Sequence, residues 1–213
     1  MTGWLHSPLK RAIDAVVAGA ALLVVSPVLV VLAVVVRFEL GAPVMFRQER
    51  AGRDGRPFQI VKLRSMTDAT GPDGEMLPDA DRLPPFGRLL RASSLDELPQ
   101  FWSVLRGDMS LIGPRPLPMK YNDRYSTEQR RRLLATPGIT GWAQVQGRNA
   151  IDWPTKLAHD VWYVDHASLR VDLQIVARTI RAVLTPSGTT AADGHVTMPE
   201  FMGASAVDDP GGG

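Results

Sequence analysis

The sequence contains no cysteine, which excludes disulfides, thiolate metal sites and a cysteine nucleophile together. That absence fits a cytosol-facing protein without requiring one. The four histidines, His6, His159, His166 and His195, show no zinc-like spacing backed by other ligands. Between Asp68 and Asp81 there are five acids and no base, and the 22 residues from Ala15 to Val36 carry no charge at all. No internal repeat is apparent. What is present, 213 residues of which 45% are apolar, suffices for one domain with a core.

The net charge is only +2, but the signs are segregated. Lys10 to Arg64 holds nine Lys/Arg against four Asp/Glu, and Arg82 to Arg148 holds eleven against five. These basic regions suit nucleic acid, anionic lipid headgroups or a phosphorylated substrate, or simply solvate the surface. Arg130-Arg131-Arg132 comes with no groove-reading motif, which disfavours nucleic acid.

The uncharged run is long enough to cross a bilayer core, at roughly 33 Å for a straight helix. It exceeds a signal-peptide apolar region and lacks an obvious small-residue cleavage site. Lys10 and Arg11 precede it and Arg37, Arg47, Arg50 and Arg53 follow it, so both ends favour the cytoplasmic face. Asp14 would sit at headgroup level. Pro27 cannot donate to the Leu23 carbonyl, and Ser26 can turn its hydroxyl toward Leu22. Ser26-Pro27 therefore predicts either a bent, re-entrant helix over residues 9–37 or an ordinary kinked span.

Beyond it, residues 38–185 read as one soluble module. Strands around Val44–Phe46 and Phe58–Leu63, joined through Asp54-Gly55, predict a β-hairpin. Thr67 to Pro85 reads as a loop, with a lid as one use. A short helix is expected through Arg88 and Leu90, a turn at Ser93-Ser94, and a second helix ending near Gly107. Ser126 to Gln129 predicts a capping box. Ser168 to Thr185 repeats apolar residues at Leu169, Leu173, Val176, Ile180 and Leu184, an amphipathic helix that packs either on the core or on a membrane surface. Residues 186–213 read as a disordered tail. The class is α+β, mostly helical.

The stretch "SSLDELPQFWSVLRGDMSLIGPRP" sets Asp96 beside Glu97 just before Pro99. Proline tolerates the first turn of a helix, so the helix is expected to begin at or near Asp96. Ser94-x-x-Glu97 also fits a plain capping box. Arg88, Arg91 and Arg115 have the chemistry to converge there on phosphate oxygens, and an Asp attacking phosphorus needs a low pKa and its anionic target neutralised by Mg²⁺ and arginine. Glu97 would handle a proton or orient a second substrate.

Together these motifs, with "VMFRQERAGRDGRPFQIVKLRSM", "TPGITGWAQVQGRN" and "WYVDHASLRVDL", resemble the bacterial sugar transferases, specifically the small monotopic phosphoglycosyl transferases. The resemblance runs from about Leu9 to Leu184. It implies a re-entrant helix broken at Ser26-Pro27, amphipathic helices at the interface, and a catalytic module facing the cytoplasm at the inner leaflet of the bacterial cytoplasmic membrane. It implies transfer of a sugar-1-phosphate from a UDP-sugar to undecaprenyl phosphate with release of UMP, the first membrane step of exopolysaccharide, capsule, O-antigen or glycoprotein glycan assembly. Asp96 is then the nucleophile, forming a covalent phosphosugar intermediate, Glu97 its partner at the acceptor phosphate, and Mg²⁺ binds beside the pair, at Asp96. Lys62, Arg88 and Arg115 match phosphate-side or structural contacts, and Asp172 matches a position expected to matter. Gln144, in "GWAQVQGR" with Arg148, is either part of a packed polar turn with Trp142 or a nucleotide or sugar contact. Gln146 stands where the pattern more often has Asn.

With only eight residues before Leu9, the sequence reads as the minimal form, without the multi-span region of larger relatives. Downstream glycosyltransferases are implied partners and a homodimer is open. The alternative is a non-catalytic membrane-anchored adaptor for phosphorylated or anionic lipid partners, which leaves the Asp-Glu, Arg and Gly-Pro-Arg-Pro set without a purpose.

Overall fold

A computed structural model describes residues 3–147, 151–184 and 200–203. The chain enters through a 3₁₀ turn, Gly3–His6, and a 32-residue helix α1, Pro8–Glu39. Ser7 caps α1 by accepting the Leu9 amide, and Pro8 occupies the first turn, where its missing N–H costs nothing. The helix is long and apolar enough to cross a membrane by length and composition. It leaves Val16, Val17, Leu23, Val24, Val30 and Val31 exposed.

Pro27 lies inside α1 and does not break it. Proline removes the amide that would bond the Leu23 carbonyl. The Ser26 hydroxyl donates to that same carbonyl at 3.0 Å, supplying a substitute donor. Helical hydrogen bonding thus continues through Ser26-Pro27 with a replaced donor, and the serine serves Leu23 rather than Leu22.

The start of α1 is locked to the body by charge. Lys10 pairs with Asp172 at 2.8 Å, both buried. Asp172 also accepts from Trp4 Nε1 at 2.9 Å and Tyr163 OH at 2.7 Å. Asp14 accepts from Ser110 Oγ at 2.7 Å, and Arg11 donates to the carbonyls of Val104 and Leu105. Lys10 and Asp14 are therefore interior groups, each held by partners on the body.

The hairpin forms as β1, Met45–Ala51, against β2, Pro57–Leu63, with a longer first strand than expected and with Asp54 and Gly55 both at positive φ in the turn. The 67–85 loop carries its own short helix α2, Asp79–Arg82, and its neck is tied by Thr67 and Arg82, each bonding the other's carbonyl at 2.9 Å. Then follow α3, Pro85–Ala92, and α4, Gln100–Arg106, which stops at the left-handed Gly107. Strands β3, Ser110–Ile112, and β4, Gly138–Thr140, pair in parallel. Between them lies α5, Thr127–Arg130, with its predicted capping box. Helices α6, Trp142–Gly147, α7, Trp153–His166, and α8, Leu169–Leu184, complete the described helices.

Helix α8 packs on the body by a different face from the one its periodicity marks. Ile175 and Asp172 face inward, whereas Leu169, Leu173, Val176 and Ile180, the stripe that marks the helix in sequence, face outward. A second departure concerns the tail: Phe201 is 3% exposed and belongs to the core cluster of Tyr121, Tyr125, Leu133 and Leu157. Residues 200–203 are thus packed, because an aromatic side chain finds an apolar partner there. The remainder of 186–213 lies outside the described residues.

Candidate active site

Three pieces of backbone bring the site together. On the hairpin, Phe46 faces Lys62 and Arg50 faces Phe58, so period-2 alternation puts Arg50 and Lys62 on one face. Helix α3 lies against the residues after β2: a Cβ on Gly87 would meet the Ser65 carbonyl oxygen at 1.9 Å, so only glycine permits this approach. The chain then turns through left-handed Ser94 into a 3₁₀ turn, Leu95–Glu97. Leu95 packs on Leu63, Leu90 and Val36, which fixes how the following two carboxylates point. Finally, Gly138 approaches Gly113 so closely that a Cβ would lie 2.1 Å from its nitrogen. The Gly138 amide bonds the Pro114 carbonyl at 2.9 Å, setting the position of Arg115.

The expected helix start is corrected here. Asp96 and Glu97 occupy the separate 3₁₀ turn, α4 begins at Gln100 after Pro99, and Ser94 makes no side-chain cap. Pro99 takes the position before the helix rather than one inside its first turn.

The two carboxylates differ sharply. Glu97 is clamped: Lys62 Nζ lies 2.5 Å and Arg115 Nη2 2.6 Å from its Oε1. Burial alone would raise its pKa, but Arg115 and then Lys62 outweigh it and hold the carboxyl at about 2. Asp96 is 6% exposed and accepts no hydrogen bond among the described residues. Burial pushes its carboxyl above the usual carboxylate range, with Lys62 pulling back and Glu97 adding to the rise. The low pKa expected from a helix end is therefore found on Glu97, not Asp96. Burial, then Arg115, lowers Lys62 although Glu97 opposes them.

Cations outnumber the dyad. Arg50 lies beside Arg115; burial first, then Arg115, lowers it to about 10, and its Nε is buried without a partner. Lys156, on α7, is lowered to about 8 by burial and by Arg115. Arg91 donates to Ser65 Oγ at 3.0 Å and stands within electrostatic reach of Asp96. The arrangement offers one unengaged carboxylate within a cluster of cations. Such a cluster suits a phosphorylated electrophile.

Among the described residues no cluster of three His, Asp or Glu side chains could hold a metal ion. Mg²⁺ needs fewer, one or two carboxylates with substrate phosphates and water. Asp96, its oxygens unengaged, fits that requirement; Glu97, taken by Lys62 and Arg115, does not.

Of the residues singled out in sequence, Asp96, Glu97, Lys62 and Arg115 come together. Arg88 is exposed on α3 and its side chain meets none of them. Asp172 is bound to Lys10, Trp4 and Tyr163 instead. Gln144 has both amide heteroatoms buried without partners, while Trp142 stacks on Trp162 at 4.4 Å. Arg148 lies outside the described residues. Arg50 entered the sequence reading only as a charge flanking the apolar segment, and Lys156 not at all; the hairpin alternation that pairs Arg50's face with Lys62's was the available signal for the first.

Residues 5–186 match the family model described as bacterial sugar transferase. The chain is 47% identical over 199 residues to an uncharacterized sugar transferase of Bacillus subtilis, EpsL, covering 93% of this chain and 98% of the relative. It is 43% identical over 186 residues to the UDP-glucose:undecaprenyl-phosphate glucose-1-phosphate transferase of Caulobacter vibrioides, covering 83% of this chain and 70% of that protein. It is 40% identical over 192 residues to the UDP-N-acetylgalactosamine-undecaprenyl-phosphate N-acetylgalactosaminephosphotransferase of Aeromonas hydrophila, covering 86% of this chain and 45% of that protein. The chain thus spans less than half the length of the Aeromonas relative.

Proposed function

Because the chain belongs to the bacterial sugar transferase family, we propose that it is a phosphoglycosyl transferase that moves a sugar-1-phosphate from a UDP-sugar to undecaprenyl phosphate. The single observation that carries the reading is the unengaged Asp96 carboxylate beside a Glu97 clamped by Lys62 and Arg115. Two relatives act, by name, on UDP-sugars and undecaprenyl phosphate.

In the first step an Asp96 oxygen attacks the phosphorus that bears the sugar. The bond from that phosphorus to the bridging oxygen breaks, and UMP leaves with the electron pair. In the second step an oxygen of undecaprenyl phosphate attacks the same phosphorus, the aspartyl–phosphorus bond breaks, and the carboxylate is restored. Glu97, anionic at neutral pH, holds Lys62 and Arg115 in place to receive phosphate oxygens; its low pKa favours this anchoring role over proton transfer. Mg²⁺ bound at Asp96 would neutralise diphosphate charge.

The membrane reading is a re-entrant α1, with the α8 stripe at the interface and the catalytic body at the cytoplasmic face. It is supported by packing on both sides of Pro27. Ala18 sits in a cluster with Ile60, and Val36 in one with Leu63, two residues of one strand about 10 Å apart. Eighteen straight helical residues rise about 27 Å, so a bent α1 meets both partners with less reach. The exposed apolar stripe of α8 supports the interfacial part.

The test is nucleotide release by the nanodisc-held protein given undecaprenyl phosphate, Mg²⁺ and a panel of UDP-sugars. UMP from one sugar is expected. UDP as product would mean direct glycosyl transfer and would contradict the mechanism.

A further inference from the structure

The family match ends at residue 186, yet residues 200–203 dock onto the body close to the site. Phe201 stacks on Tyr125 with centroids 5.7 Å apart and meets Tyr121 at 5.6 Å and Trp153 at 5.4 Å. Its amide donates to Tyr121 OH at 3.2 Å, and its carbonyl accepts from Arg124. Glu200 adds ion pairs of 2.7 Å to both Lys120 and Arg124. Side chain, backbone and neighbouring charge are thus all engaged at one place.

Each ring that holds Phe201 also leads to a cation of the site. Tyr121 lies within electrostatic reach of Arg50, and its turn follows Pro118, whose backbone bridges to Arg50. The Arg132 guanidinium lies over Tyr125, 5.6 Å from its centroid, and donates to the Arg115 carbonyl at 2.6 Å. Lys156 Nζ lies over Trp153, 5.3 Å from its centroid. Phe201 is the common support of all three paths.

We infer that Glu200 and Phe201 form an intramolecular clip, and that Phe201 is a positioning residue that sets Arg50, Arg115 and Lys156 for the diphosphate of the nucleotide donor. The inference rests on the proposed donor chemistry. It acts through rings and backbone, because no clip residue touches Asp96 or Glu97.

The test measures UDP binding to the full-length, nanodisc-held protein by titration calorimetry with Mg²⁺, together with thermal melting and the KM and kcat of UMP release. Phe201→Ala should weaken UDP binding about tenfold or more, since small displacements of positioned groups have large effects, and should raise donor KM more than it lowers kcat. Phe201→Tyr, keeping the ring, should restore most of the affinity. Glu200→Gln should give a smaller loss with little change in melting, which keeps the test decisive if Phe201→Ala does not fold. Wild-type affinity in the Glu200→Gln and folded Phe201→Ala proteins, with only melting lowered, would overturn the clip and leave the donor reading standing. A wild-type chain that binds no UDP would contradict the donor reading and, with it, the clip.

Discussion

At the scale of single residues, the two neighbouring carboxylates are set apart by what surrounds them. Glu97, held at about 2 by Arg115 and Lys62, has a folded pKa below its unfolded value of about 4.5. Its contribution to stability is therefore present above about pH 4.5 and lost as pH falls toward 2. Glu97→Gln should be clearly less stable than wild type at pH 7, with the gap closing between pH 4.5 and 2. Denaturant melts across that range check this, and a pH-independent gap would contradict the ion-pair account. Asp172 makes the complementary case. Asp172→Asn leaves buried Lys10 without its counter-charge and should cost about 3 kcal/mol. Adding Lys10→Met should recover part of that loss in the same melts, and strict additivity would show that the pair is not coupled.

At the scale of elements, the outward apolar stripe of α8 and the glycine contact beneath Arg115 each predict an effect. Leu173→Glu with Ile180→Glu should reduce binding to anionic vesicles while leaving the melting temperature within a few degrees, because both side chains are exposed. A large loss of stability instead would place the stripe in the core. Gly138→Ala should lower the folded yield, since its Cβ would fall 2.1 Å from the Gly113 nitrogen.

How far these elements were legible in the sequence depends on the range of the force that shapes them. The hairpin, the Ser126 capping box and the Gly107 stop are local, and were read correctly to within a few residues. Periodicity found α8 but not its inward face, because Asp172 and Ile175 are selected by partners outside the helix: Lys10, remote in sequence, Tyr163 on the preceding helix, and the core. The Asp-Glu pair was legible as a candidate site. Its 3₁₀ turn and the low pKa of Glu97 rather than Asp96 were not, since they follow from packing of Leu95 and from Lys62 and Arg115. Phe201 was invisible within a Gly- and Ala-rich stretch whose composition reads as a tail.

At the scale of the whole molecule, α1 joins the body on both sides of Pro27, through Ala18 and through Val36. A cysteine-free chain makes topology directly measurable: Gly3→Cys and Arg106→Cys should react with a membrane-impermeant thiol reagent from the same side. Pro27→Ala restores the missing donor and favours a full crossing, which also requires the buried Lys10–Asp172 pair to open; a residue-3 label moved to the other side would mean that Pro27 outweighs that pair. Same-side labelling of both forms would mean that Pro27 does not decide the topology.

The chemistry of the assembled molecule rests on Asp96, and it is tested most directly by intact-protein and peptide mass spectrometry. The protein would be incubated with Mg²⁺ and the UDP-sugar that supports turnover, with undecaprenyl phosphate withheld. A mass increase of one sugar phosphate on the peptide carrying Asp96, absent in Asp96→Asn and lost when undecaprenyl phosphate is added, is the predicted result. Turnover with no such adduct on Asp96, or an adduct and UMP release that persist in Asp96→Asn, would contradict it.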